Sequence, residues 1–176
     1  MNKNSRNLVL SSLFLAIAIV FQFIGRVLPQ ISQIFVGPAV NAVLILSAAI
    51  CGLGWGVSVG CLTPLLAWLL GQLPAAFGPF IPFIMIGNSI FIIMFYLFKS
   101  YEKWGNAVGI VSGALLKFLF LYISATKLIN ILSLGINPKV AQKLTVAMGS
   151  IQLMTALAGG ALAIIIINLL KRRKQI

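Results

Sequence analysis

The chain has 176 residues, 61% of them hydrophobic and 8% charged, with 13 Lys and Arg against one acidic residue and no His, for a formal net charge of +12. A soluble domain of this size keeps much of its surface wet and cannot hide that much apolar area; in lipid the alternatives are a helix bundle or a closed barrel. With no His and the single acid Glu102, most metal sites, His-based triads and paired-carboxylate hydrolysis are excluded, as is ATP hydrolysis, for want of a Gly-x4-Gly-Lys-Ser/Thr loop.

The apolar runs are continuous and of helix-spanning length rather than alternating ten-residue segments, which favours helices over a barrel. The first helix is expected over residues 8–25. Its basic start resembles a secretory signal, but Gly25-Arg-Val-Leu-Pro29 offers no small-x-small cleavage site, so it reads as retained. Pro29 ends it, and a semi-polar connector with Gln30, Ser32 and Gln33 leads to a second helix at 39–54. Gly52, Gly54, Gly56 and Gly60 punctuate the passage into a third, at 57–70. Both are short for full spans, so two short helices, broken helices or a re-entrant pair all fit. Cys51 and Cys61 read as small packing residues.

Residues 71–82 form a loop by their glycines and prolines, yet almost uncharged, and therefore expected to fold back onto the protein or the interface. The fourth helix is expected at 83–98, followed by an interfacial belt of Tyr96, Tyr101 and Trp104. A fifth is expected at 105–126. Asn137-Pro138 is a helix start, so the last helix is expected over 138–170, opening with an interfacial turn.

Charge placement sets the topology. Lys3, Arg6, Lys99, Lys103 and the run Lys171 to Lys174 fall on one side, against Arg26, Lys127, Lys139 and Lys143 on the other. The richer side is expected to be cytoplasmic. The expected fold is thus an all-α membrane protein, a six-transmembrane-helix bundle forming one domain over 1–176 with both termini cytoplasmic. These cations lie where anionic headgroups attract them, so membrane lipid, not nucleic acid, is the expected macromolecular surroundings.

Lys117, in Gly113-Ala-Leu-Leu-Lys-Phe-Leu-Phe-Leu-Tyr122, is a cation deep within an apolar helix. That costs at least ~2.5–3.5 kcal/mol, so it needs a partner or a watery cavity; snorkelling or bonding to carbonyls is the plainer alternative. Glu102 is too far along for an obvious pair, which favours an anionic or strongly hydrogen-bonding ligand. Asn88 on the fourth helix and Gln152 on the sixth fall at overlapping depths, either lining one cavity or joining helices. Ser124, Thr145 and Met148 lie within two turns on the same faces, and Arg26, Gln30, Gln33, Asn41 and Gln72 either form a lid over such a cavity or, each taken singly, are ordinary solvated loop residues. Phe77, Phe80 and Trp68 either stack on a flat ligand or anchor the interface. Small residues at four-residue spacing, Ser12/Ala16, Gly52/Gly56/Gly60 and Gly105/Gly109/Gly113, mark close helix contacts within the chain or with another.

Six helices in so short a chain, the basic start and the small face of the first helix resemble the S components of energy-coupling factor (ECF) vitamin transporters. So do Gly37-Pro38-Ala39-Val40-Asn41-Ala42, the glycine-rich stretch from Gly52 to Pro64, and Pro79-Phe-Ile-Pro82 through Gly87-Asn88. The resemblance implies a high-affinity binding subunit for a vitamin or vitamin precursor, without enzymatic activity, cofactor or metal. It further implies toppling in the cell membrane, driven by a separate coupling protein and two ATP-binding cassette ATPases. The Ala-x-x-x-Ala docking face of that family corresponds to Ser12-Leu-Phe-Leu-Ala16, with serine as a small departure. Its binding region contains Gln33, Asn88, Lys117 and Gln152 here. A carboxylate would suit Lys117 and an aromatic base the amide-rich remainder, leaving a small, weakly charged ligand as the expectation. The competing reading is a self-sufficient secondary transporter or channel for a small solute.

Overall fold

The structure, a computed structural model, describes residues 2–28, 32–101, 104–128 and 137–173. Seven α-helices are found among them: α1 (Lys3–Val27), α2 (Gly37–Cys51), α3 (Leu53–Leu69), α4 (Ile81–Phe98), α5 (Gly105–Ile123), α6 (Pro138–Ala147) and α7 (Ser150–Arg172). Wider π-type turns at Ser32–Val36 and Ser124–Leu128 and a tight 3-10 turn at Ala75–Phe80 join some of them. The described residues contain no strand. Five helical stretches are long and apolar enough to cross a bilayer: Lys3–Val27, Ile34–Cys51, Ala75–Phe98, Gly105–Lys127 and Pro138–Arg172. The sixth apolar helix, α3, has 17 residues and spans only about 26 Å.

Local chemistry explains where the helices stop. Pro38 and Pro82 sit in the first turns of α2 and α4, where a missing N–H costs nothing. Gly52, at φ 101°, turns the chain sharply between α2 and α3, so the pair forms two distinct helices. The Asn137 side chain accepts a hydrogen bond from the Lys139 amide at 3.0 Å and caps α6.

Residues 138–170, expected as one helix, instead form α6 and α7. The chain leaves the helical region at Gly149 (φ −83°, ψ −140°). The reason is polarity: α6 exposes Lys139, Gln142 and Lys143 while burying Leu144 completely, a pattern suited to the end of a bundle and not to its apolar middle.

The centre of the bundle is α2, buried on nearly every side from Asn41 to Ala48 and packed on α1, α3, α4 and α7. An all-round apolar helix belongs in such a position. Glycines let α5 lie close against α4. A Cβ at Gly109 would stand 2.9 Å from the Phe95 Cα, and one at Gly113 would stand 3.0 Å from the Phe91 carbonyl oxygen. On α3, a Cβ at Gly56 would meet Ala48 at 2.6 Å, and one at Gly60 would meet Ile92 at 2.7 Å. These small-residue rows therefore face neighbours in the same chain.

The start of α1, the end of α4, the start of α5 and the end of α7 lie at one end. There Tyr101 and Trp104 are exposed and the Lys99 ammonium sits 3.7 Å above the Tyr96 ring, as an interfacial belt requires. The last turns of α1 and α3 and the first turns of α2, α4 and α7 gather at the other end, around a cavity covered by α6.

Candidate functional site

The cavity encloses about 1050 Å³, at the upper end of the range for small-molecule sites. Its deep wall carries the buried side chains of Asn41, Asn88, Lys117 and Thr155; its rim carries Arg26, Gln72, Lys139, Gln142 and Lys143. Seven helices contribute to it.

Lys117 is 3% exposed, so it does not snorkel. Its Nζ donates to Asn41 Oδ1 at 2.8 Å, joining α5 to α2 across 76 residues of sequence. The Asn41 Nδ2 donates to the Gly37 carbonyl one turn earlier, at 3.0 Å. That second bond fixes the amide: rotated by half a turn, it would set an NH2 group against an ammonium. The Phe91 ring lies 5.6 Å from the same Nζ and completes the surroundings. A neutral amide offsets only part of the cost of a buried cation, and this is the one hydrogen bond Lys117 makes among the described residues. Its remaining N–H donors are left to the cavity it lines.

Asn88 has a different task. Pro64 lies inside α3 and has no N–H for the carbonyl four residues before it, that of Gly60. The Asn88 Nδ2 donates to that Gly60 oxygen at 2.9 Å, so α4 supplies the bond that the proline removed. Gln22 of α1 likewise donates to the Thr63 carbonyl at 3.1 Å, and the Thr63 hydroxyl donates to Val59 at 2.6 Å. Three side chains thus stabilise the proline-weakened segment of α3 along the cavity wall.

The other sequence candidates divide clearly. Arg26 and Gln72 line the rim, and Gln152 lines the wall, its Nε2 3.8 Å from Met148 Sδ. Gln30 and Glu102 lie outside the described residues, as does the side chain of Gln33, whose backbone belongs to the turn before α2. Ser124 is not in the cavity: fully buried, it donates to the Phe120 carbonyl of its own helix. Thr145 similarly bonds Ala141 and Ala125. Of the aromatic trio only Phe77 lines the cavity. Phe80 is fully buried and stacked on Phe83 with ring centroids 5.1 Å apart, while the Trp68 indole donates to the Ala75 carbonyl at 3.1 Å and ties the apolar loop to the end of α3. Ser12 and Ala16 are exposed on the outer face of α1, among Leu8, Val9, Leu13 and Val20.

Gln22, Thr63, Gln142 and Thr155 also line the cavity, and sequence reasoning did not single them out. Gln22 had a readable signal. With Asn7 and Ser11 it is one of three polar residues among the five on the buried side of α1.

The fold and cavity define a multi-pass helical membrane protein with a substrate-sized chamber at the end of its bundle opposite the start of α1 and the end of α7. The chain matches the family described as "ECF transporter, substrate-specific component" over residues 6–170, nearly its whole length, and belongs to that family. Neither the curated proteins nor the solved structures contain a significant match.

Proposed function

We propose that this chain is the high-affinity binding subunit of an ECF-type importer for a vitamin or vitamin precursor, a small and weakly charged molecule with room for an aromatic ring. The observation that carries the reading is the chamber itself: about 1050 Å³, closed at its deep wall by Asn41, Asn88, Lys117 and Thr155, in a member of a substrate-specific transport family. With the termini cytoplasmic, as the charge bias favours, the cavity opens outward and collects substrate outside the cell membrane. Uptake then needs a separate transmembrane coupling protein and two ATP-binding cassette ATPases. The outward face of α1 around Ser12 and Ala16, small residues in an exposed apolar stripe, is the surface on which that protein docks. The chain performs no chemistry on its substrate. The family match lends no support to a self-sufficient secondary transporter or channel.

A thermal-shift screen of the detergent-purified protein against B vitamins and their precursors tests the reading. One compound is expected to raise the melting temperature strongly. Lys117→Met is expected to weaken its binding at least tenfold, about 1.4 kcal/mol, while the ligand-free protein still melts cooperatively. A panel that leaves the melting temperature unmoved counts against a binding subunit, and wild-type affinity in Lys117→Met removes that residue from the site.

A further inference from the structure

We infer that the cavity selects a monoanion, a ligand whose single carboxylate seats against Lys117 Nζ on the deep wall while an uncharged, hydrogen-bonding body extends toward the rim; this rests on the substrate-binding reading above. The first ground is charge. The ionisable residues among the described cavity lining are Arg26, Lys117, Lys139 and Lys143, and all four are cations. The one acid of the chain, Glu102, falls in sequence between α4 and α5 and lies outside the described residues; no acid is found among the described cavity lining. An ammonium or ring cation entering this chamber would lose water without meeting an anion, which is strongly unfavourable.

The second ground is where the cations stand. Arg26, Lys139 and Lys143 are exposed at the rim, where water screens them; they draw anions in without fixing them. Lys117 is buried, and its partner Asn41 accepts one of three N–H groups while carrying no charge. A ligand carboxylate would take the remaining donors and supply the missing negative charge in a low-dielectric setting, where a charge-assisted bond is strongest. One buried cation calls for one buried negative charge. A dianion would bury a second charge with no cation beside it, since the other deep-wall groups Asn88, Thr155 and Gln22 are neutral. Those neutral groups fit hydroxyl, amide or ring-nitrogen atoms in the ligand body.

Asn41 is then a positioning residue for selectivity. Asn41→Asp would keep an oxygen at the position that now stands 2.8 Å from Lys117 Nζ and give it a negative charge, while giving up the bond to the Gly37 carbonyl, since a carboxylate has no N–H to donate. The protein would supply internally the charge that the ligand is inferred to bring.

Matched probe pairs on the wild-type protein provide the test without relying on a variant: pantothenate against pantothenol, nicotinate against nicotinamide, biotin against biotin amide, with thiamine as the cationic control. At least one carboxylate is expected to bind, its neutral twin at least tenfold more weakly, and the cation not at all. Asn41→Asp is expected to lose at least tenfold in affinity for the carboxylate. Tight binding of a neutral or cationic probe in preference to every carboxylate would overturn the inference and leave the binding-subunit reading standing. So would a folded Asn41→Asp protein that keeps wild-type affinity for the carboxylate. A panel in which no probe of any charge binds would overturn both.

Discussion

At the scale of single residues, the cavity is organised by polar side chains whose partners lie far away in sequence. Lys117 meets Asn41 across 76 positions, and Asn88 meets the Gly60 carbonyl across 28. The second contact is open to a double-mutant cycle. Removing the Asn88 amide in Asn88→Leu leaves a buried carbonyl without its donor, expected to cost about 1–3 kcal/mol of stability. In a Pro64→Ala background the alanine N–H can bond Gly60 directly, so the same Asn88→Leu change should cost distinctly less. Equal losses of thermal stability in the two backgrounds would show that Asn88 does not compensate for the proline. Lys117 was legible in the sequence because a charge inside an apolar helix has few explanations. Asn41 as its partner was not, since nothing local distinguishes it from the other amides near the lid. Pro64 announces a carbonyl in need of a donor, but which helix brings that donor is decided by tertiary packing. Ser124, just past the last residue of α5, lies two turns beyond Lys117 yet donates to the Phe120 carbonyl one turn back, as serine hydroxyls commonly do.

At the scale of elements, the glycine rows set how closely the helices approach. Gly109 faces the Phe95 backbone directly, which cannot move aside as a flexible side chain can. Gly109→Val is therefore expected to separate α4 from α5 and destabilise the protein by about 1–3 kcal/mol, read as a lower melting temperature in detergent. An unchanged melting temperature would mean that this interface is looser than the structure describes. Spacing alone revealed the close contacts but not the neighbour, because small residues look alike whether they face the same chain or another. The turn at Gly52 was readable from clustered glycines. The break between α6 and α7 was not, because a lone Gly149 within an apolar stretch lowers helix propensity by only about 1 kcal/mol. What breaks that helix is the amphipathic character of residues 138–147, which asks for a position at the mouth of the bundle.

At the scale of the whole molecule, the larger share of the positive charge sits at the end opposite the cavity. The terminal end carries Lys3, Arg6, Lys99, Lys171, Arg172 and Arg173 among the described residues, and the cavity end carries Arg26, Lys127, Lys139 and Lys143. If the first group faces the cytoplasm, a membrane-impermeant maleimide should label Lys139→Cys on intact cells and label Lys3→Cys only after permeabilisation, in a protein with Cys51 and Cys61 replaced by alanine. The reverse pattern would turn the cavity inward and remove it as a collector of external substrate. Composition alone made the membrane helix bundle legible, because no other solvent accepts this much apolar surface. The chamber was legible only in outline: several of its polar residues stood out one by one, but their convergence at one end depends on seven helices packing together.

Native mass spectrometry of the protein, purified in mild detergent from cells grown in rich medium, tests the central claim most directly. A substrate-binding subunit should retain a discrete small-molecule adduct below about 400 Da, a size the chamber volume admits, and Lys117→Met should lose it. A bare chain from both proteins, together with no adduct after incubation with vitamins and their precursors, would contradict the claim and return the Lys117–Asn41 contact to a role in packing alone.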